Sequence, residues 1–591
     1  MTYAHLTFLL FCAILFIMKT YNDLKTDASQ NIVNRLVWCT AQKDQAGIAS
    51  DLASGKDIPE VYGLGAAGLF DEFFYFLSTL KISNLFNGLD PKLTKRRSNI
   101  NFHSVLLTYI IRIVSGLPFY WHIEPILLKS QSLMRLVGFN GTQVRDGTCN
   151  RGITSKTTDK VQDTQHAQNT QGAQDVQDTQ NNSTQIRGPI CADSIAAYIE
   201  AIPASALERF FNGVISILAA NSFFPKIIHA LLDSTEIEST ENCIDCGKVT
   251  KEKAPELRNR KGRIRKVMET VFGFKCWVLW DQTNKFPLAI RFATIEKSDI
   301  SLAQEIVAQA ISNLGNHATI DSIAFDRGFL DGKFMWWLNT KKITFYVPAK
   351  TNMNVYEDAI ALKTDGIHQN RQKKRTIGHG KNKQIVMDNY EVVGIEGLTS
   401  AGFYGELGSG SHENRNDFVP NPINAVVVLD DPYKKNNPAS DKLVILTNGP
   451  VKKPLDVYDG YDARSEIENS LFREAKQAWF IQRPARNSAN AFRSHVYLTI
   501  ITMALTAAFR DWMNEQDKLI NKGVETGIRK FREKIHEENA NKLIVFDRDR
   551  YAIFDIYEMF ILCNRNVTMP RGVIETITKK DILRKYGVAL E

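Results

Sequence analysis

The sequence predicts an α/β fold preceded by an all-helical N-terminal domain, on three observations. Two short apolar runs end in an acid, IIHALLDST at Ile227–Thr235 and IDSIAFDRGF at Ile320–Phe329, the pattern of buried strands that carry a carboxylate to the edge of a sheet. Between them FGFKCWVLW at Phe272–Trp280 and the run Leu288–Ala293 read as further strands, and Ser301–Ser312 has helical spacing. Upstream, Leu69–Phe139 reads as several amphipathic helices, Leu69–Leu80 and Phe102–Gly116 among them, with basic Lys95, Arg96 and Arg97 between. At 591 residues the chain exceeds the roughly 250 to 300 at which one core stops growing, so more than one domain is expected. An apolar share of 44% with 10% aromatics excludes a chain disordered throughout, and 35 Gly with 18 Pro exclude a collagen-like or low-complexity polymer. Eight Cys in such a length cannot form a disulfide framework, which favours a reducing compartment.

In chain order, Leu6–Met18 is apolar except for Thr7 and falls short of the about 20 residues of a membrane span. No Lys or Arg precedes it and no small-residue cleavage pattern comes after, so it reads as a packed or misplaced-start helix more than as a signal or anchor. From Val161 to Gln185 there is no Leu, Ile, Phe, Trp or Tyr, and Gln recurs at every third position from Gln162 to Gln180. That period suits neither helix nor strand, and a tract with so little to bury cannot offset its ordering entropy, so 152–185 reads as a disordered linker. Helical spacing resumes at Asp193–Ala201 and Ser205–Leu218. Past Asp326, Gly328 permits a tight turn into a helix at about Asp331–Asn339. Ile343–Ala349, Gln384–Gly394, Ile423–Leu429 and Lys442–Thr447 then read as strands with Gly, Asn and Pro turns between.

The net charge of +8, from 73 Lys and Arg against 65 Asp and Glu, is concentrated. Gly247–Lys275 holds ten cations, with Arg258, Arg260, Lys261, Arg263, Arg265 and Lys266 at its centre, against three Glu; Leu362–Gln384 holds seven against Asp365. Clustered Lys and Arg multiply affinity for a polyanion because each phosphate met releases condensed counterions. A solvated loop face is the competing reading of each run.

Asp233 and Asp326, at the ends of the two acid-terminated runs, are the first two site candidates, and the third lies in DGYDARSEIENSLFREAKQAW, Asp459–Trp479, which reads as one helix. At about 100° per residue, Tyr461, Arg464 and Glu468 fall within about 40° of one face, while Glu466 points away. Arg gives bidentate hydrogen bonds to phosphate, so the stripe suits phosphate handling; an exposed ion pair one helical turn apart is the plainer alternative. Three uncompensated carboxylates make physical sense around divalent cations, and hard oxygen donors favour two Mg²⁺ or Mn²⁺ ions for in-line attack on a phosphodiester. Spacing alone does not single out these three, because any α/β protein carries acids at strand ends.

The words DSTEIE at Asp233, AFDRGFLDG at Asp326 and YDARSEIENSLFREAKQAW at Tyr461 resemble the DDE transposases of bacterial insertion sequences, in the branch with a Y-x2-R-x3-E signature. The resemblance runs in order from about Phe70 to Trp512. It implies an RNase H-like catalytic core interrupted by a β-rich insertion before the last acid, with Asp233, Asp326 and Glu468 as catalytic metal ligands and Tyr461 and Arg464 on the terminal phosphates. One departure stands out: the family's Lys seven after the Glu is Ala475 here, and Lys476 sits about 80° further round a regular helix, so Lys476 or Arg473 is the candidate substitute. Some relatives hold a flipped base on a Trp of the insertion; all Trp here lie outside it, leaving Tyr390, Phe403, Tyr404 or Phe418, so a hairpin intermediate is not supported. Trp336 and Trp337 read as core.

The implied organisation is a helical DNA-binding domain at 1–151, the linker at 152–186, a helical lead-in at 187–226, the core at 227–349 and 457–515 split by an insertion at 350–456, and a C-terminal α/β region at 516–591 as a candidate for oligomerisation. The expected partners are the terminal inverted repeats of a mobile element, target DNA and a second copy of the chain, with no membrane; the expected location is the cytoplasm, at the nucleoid. A plain RNase H-like nuclease and a non-catalytic DNA-binding descendant of a transposase are the alternatives. Cys243 and Cys246 form a CxxC with no second pair at zinc spacing, no Walker A, HExxH or nucleophile-elbow pattern occurs, and His229 reads as an ordinary buried histidine.

Overall fold

The structure is a computed structural model that describes residues 62–64, 69–93, 100–128, 130–139, 143, 189–252, 268–377, 384–408, 421–429, 442–521, 532, 542–547, 550–555 and 575–577. The apolar run Leu6–Met18, the Gln-rich tract, the basic run Arg258–Lys266 and Phe418 lie outside them. The chain divides into two units, one drawn from residues 1–83, 92–198 and 513–591, the other from 84–91 and 199–512.

In the first unit, helices Leu69–Thr79 and Phe102–Val114 form where the sequence spacing places them, and they bury Phe73, Phe76, Val105, Leu106, Tyr109 and Ile110. The Asn101 side chain caps the second helix by accepting from the His103 amide at 3.0 Å, and buried Arg112 donates to the carbonyls of Leu117 and Pro118, which turns the chain after the helix ends. The expectation that this N-terminal part is all-helical is corrected at Tyr62–Leu64 (β1). This strand pairs antiparallel with Lys542–Asp547 (β12), in a four-stranded sheet that continues through Arg550–Asp555 (β13) and Glu575–Ile577 (β14). Three residues are too few to show a period of two, and their partner lies near the other end of the chain.

The second unit is built on a mixed sheet of ten strands. Its strands are Ile227–Ser239 (β2), Gly247–Glu252 (β3), Met268–Asp281 (β4), Pro287–Thr294 (β5), Thr319–Phe325 (β6), Thr344–Pro348 (β7), Ile367–Ile377 (β8), Gln384–Leu398 (β9), Ile423–Leu429 (β10) and Leu443–Thr447 (β11). The order is β3-β4-β2-β6-β7-β11-β10-β9-β8, with β5 on the far side of β4. β4 runs antiparallel to β2 and β5, whereas β6 is parallel to β2 and β7 parallel to β6. The parallel strands are buried through Leu231, Leu232, Ile323, Ala324, Phe345 and Val347, as near-continuous apolar runs require. Strands β8 to β11 do not close into a sheet of their own: β11 pairs antiparallel with β7, Leu446 opposite Val347, so they prolong the same sheet.

Helix Ala303–Leu314 packs on β5 and on helix Ala204–Ala220. The stretch Ala489–Trp512 of helix Ala489–Asn521 is long and apolar enough to cross a membrane, yet 83% of its most apolar window is buried inside the fold. Phe492 packs at 5.1 Å from Phe274 and Tyr497 at 6.2 Å from Phe211, so it serves as a core helix.

Candidate active site

Two parallel neighbours deliver the first two acids to one end of the sheet. Asp233 follows Leu232, which stands opposite Phe325, and Asp326 is the residue after Phe325. The third motif arrives on a different construction from the single helix expected. Helix Pro454–Asp462 ends just past Tyr461, the chain turns at Ala463 and Arg464, and Ile467–Phe472 is a π-helical segment in which the Arg473 amide reaches back to the Glu468 carbonyl. The helix comes close to the sheet at Gly460, where a Cβ would meet the Tyr346 ring at 2.8 Å, and Tyr461 packs on the cluster of Tyr390, Val457 and Tyr458.

The expected residues converge. Arg464 Nη1 donates to Asp233 Oδ2 at 3.3 Å, and the other oxygen, Oδ1, accepts from the Ser234 amide at 2.8 Å. The Asp233 side chain is 14% exposed, and burial, opposed by the Ser234 amide and Arg464 but reinforced by the negative charges of Asp326 and Glu468, pushes its carboxyl up to about 6. Burial likewise raises the Tyr461 phenol, with Arg464 and Arg327 drawing it down and Asp326 pushing it up, so Tyr461 lies among those same groups. Glu468 is exposed and Asp326 half-buried, which leaves the carboxylates open to a ligand. Glu466 turns away to pair with Lys285.

Lys476 is half-buried, Arg473 exposed, and Ala475 fully buried at 1% exposure, so Ala475 cannot present a charge to the site. The π-helical turn corrects the geometry expected of a regular helix: one extra residue in the turn displaces every later residue by one position, so the residue eight after Glu468 takes the angle of the seventh. By that count Lys476 takes the angle that a regular helix would give the seventh residue.

Behind Asp233 stands a network that no sequence motif announces. Asp299 Oδ1 accepts from Ser234 Oγ at 2.6 Å and from Lys275 Nζ at 3.2 Å, and its carbonyl accepts from Trp277 Nε1 at 2.9 Å. A Cβ on Gly328, two residues past Asp326, would stand 2.6 Å from Asp299 Oδ2. Asp299 thus bridges the chain beside the first acid to the chain beside the second, and its one sequence signal is an acid at the start of the helix after β5. Arg327, adjacent to Asp326, is a further site residue that sequence spacing does not single out.

The donor set, a buried Asp233 carboxyl that feels the negative charges of Asp326 and Glu468, fits hard divalent cations. Among the described residues, no three His, Cys, Asp or Glu already stand together closely enough to hold an ion, and the Arg464 guanidinium is the cation at Asp233. Of the residues considered for base stacking, Tyr390 and Tyr404 are core at 3% and 2% exposure. Trp336 and Trp337 are half-buried, Trp336 edge-on to Tyr404. His229 is exposed rather than buried, because at the start of β2 the side chains alternate, Ile227 and His229 outward and Ile228 and Ala230 inward; its Nδ1 lies 2.8 Å from Ser322 Oγ.

No curated protein matches the chain. Among solved structures it is similar to a piggyBac transposase synaptic complex with hairpin DNA, at 10% identity and a TM-score of 0.35, over 80% of this chain and 79% of that one. Residues 225–506 match the family model described as a transposase DDE domain. That matched segment, which holds Asp233, Asp326, Glu468, Tyr461 and Arg464, is the part of the chain that is similar to the transposase DDE domain.

Proposed function

We propose that the protein is a metal-dependent transposase that cleaves DNA at the ends of its own mobile element and joins the freed 3′-ends to a target. The observation that carries this is the Arg464–Asp233 contact: it ties the third motif to the first beside the second, so three words distant in sequence share one site. The strand order β5-β4-β2-β6-β7, in which only β4 runs opposite to the other four, supports an RNase H-like core, and β8–β11 fall in the stretch read as the insertion.

Asp233, Asp326 and Glu468 would hold two Mg²⁺ or Mn²⁺ ions, which when bound supply polarisation of the scissile phosphodiester and of the attacking oxygen. Asp233 must be ionised to act as a ligand, which its carboxyl favours above about pH 6. Tyr461 keeps its proton because its phenol is raised, and it offers an O–H to a phosphate oxygen. Arg464 and Arg327 supply guanidinium charge to the same phosphate, and Lys476 with Arg473 extends the cationic edge along Glu468. In cleavage water forms the new P–O bond as the 3′-oxygen leaves; in transfer that 3′-hydroxyl attacks a target phosphodiester and displaces its 3′-oxygen. The basic run Arg258–Lys266 is proposed as a phosphate contact, with a second copy of the chain completing a paired-end complex and the cell's DNA as its location.

The test is cleavage and strand transfer on duplexes carrying the inverted repeats that flank the gene, in Mg²⁺ and in EDTA. Asp326→Asn and Glu468→Gln should lose both reactions while duplex binding persists. Retained cleavage would remove the triad assignment, and cleavage without joining would leave a nuclease.

A further inference from the structure

We propose that the hairpin of β8 and β9 is a ribbon that enters a groove of the element's duplex, an inference that rests on the transposase reading above. The hairpin pairs without interruption from Ile367 opposite Gly394 to Ile377 opposite Gln384, and among the described residues β8 is the last strand of the sheet, with no strand on its outer edge.

Its root is fixed to the helix that carries Tyr461. Gln369 Oε1 accepts from the Leu455 amide at 3.1 Å, Arg371 pairs with Asp459, and the Tyr390 ring lies 5.2 Å from that of Tyr458. Whatever lies along the ribbon therefore has a defined relation to the site at Tyr461 and Arg464.

Beyond the root, one face presents a consistent chemistry. Gln372 stands opposite Asn389, Lys374 opposite Met387, and Ile385 comes next on the same side, all exposed, with Ile385 at 60% and Met387 at 51%. At the root this face opens into a cavity of about 330 Å³. Side-chain amides facing each other supply donors and acceptors of the kind that read base edges, the lysine meets phosphate, and the apolar pair suits sugar and thymine methyl groups. A major groove about 12 Å wide admits a two-stranded ribbon. The charge is of the right sign: Leu362–Gln384 holds seven Lys and Arg against one Asp.

The competing role is protective, since lysines on an open edge strand block edge-to-edge pairing between copies. Fluorescence anisotropy on the full chain separates the two, using the duplex that carries the flanking inverted repeat and a scrambled duplex of equal length, across a salt series. Lys374→Ala should weaken both duplexes and reduce the salt slope by about 0.9, the loss of one phosphate contact. Gln372→Ala with Asn389→Ala should leave the slope and weaken the repeat duplex about tenfold more than the scrambled one. All three positions are exposed, and an unchanged thermal midpoint certifies folding. Wild-type affinity, slope and preference in both variants would overturn the ribbon proposal and leave the lysines as edge guards. If those variants behave as wild type while wild-type protein cleaves in Mg²⁺, the ribbon fails alone; if wild-type protein binds neither duplex, both proposals fall.

Discussion

Asp233→Asn should make the protein more stable above pH 6 even as it abolishes cleavage. Folding raises the Asp233 carboxyl from its ordinary 3.8 to about 6, so the folded chain holds the proton more tightly than the unfolded one. The stability of the neutral acid is then fully present below about pH 4 and is lost as pH rises through 6. At higher pH the wild-type protein carries a cost of about 3 kcal/mol, at 1.36 kcal/mol per pH unit of displacement, and with its side chain 14% exposed solvent screens little of it. Asparagine of the same shape has no charge to bury and keeps an oxygen for the Ser234 amide. That cost is already net of the Arg464 attraction, so the gain is about 3 kcal/mol, or roughly 5 °C in Tm for a unit of roughly 300 residues. Thermal unfolding in EDTA, followed by near-ultraviolet circular dichroism across that pH range, measures it. Equal midpoints at about pH 8, or a gain that persists unchanged at about pH 4, would refute the reasoning. Added Mg²⁺ should raise the wild-type midpoint and leave the Asn variant where it is.

Three further outcomes are expected. Lys476→Ala should lower cleavage more than Arg473→Ala, and Ala475→Lys should destabilise the fold by forcing a charge into a position 1% exposed, which a urea midpoint will show. Asp299→Asn removes the anionic partner of Lys275 and weakens the Ser234 hydrogen bond, so the urea midpoint should fall by the equivalent of about 1.5 to 3 kcal/mol; an unchanged midpoint would make the network ornamental. Gly460→Val drives carbon into the Tyr346 ring and should cost about 1 to 3 kcal/mol while displacing Tyr461, so that cleavage falls with duplex binding kept.

The strands that carry the first two acids are legible in the sequence because their last buried residues, Ala230–Leu232 and Ile323–Phe325, write themselves as short apolar runs, each directly before its acid. Strand β8 is not legible. Its sequence IHQNRQKKRTI is apolar only at its ends, and it is a strand because β9 offers it eleven partners in register, a tertiary cause that no local pattern records. Strand β3, with only Val249 apolar, is hidden for the same reason. The Asp299 network is hidden differently, since Ser234, Lys275 and Asp299 come from separate elements and no spacing rule links them.

The third motif shows how a grouping can be drawn from a geometry that does not hold. Counting about 100° per residue along one helix groups Tyr461, Arg464 and Glu468, but the chain bends at Ala463 and Arg464 and then widens into a π-helical segment. The grouping survives because Arg464 is fixed by Asp233 and Tyr461 by the cluster around Tyr458, so contacts and not helical phase align them. The same widening bears on the one departure from the signature. A π turn shifts the angular count by one residue, so Lys476 takes the angle that a regular helix would give Ala475, which is buried. A signature written as a spacing therefore holds in space only where the helix between its letters keeps its pitch, and here the chain changes pitch and shifts its lysine together.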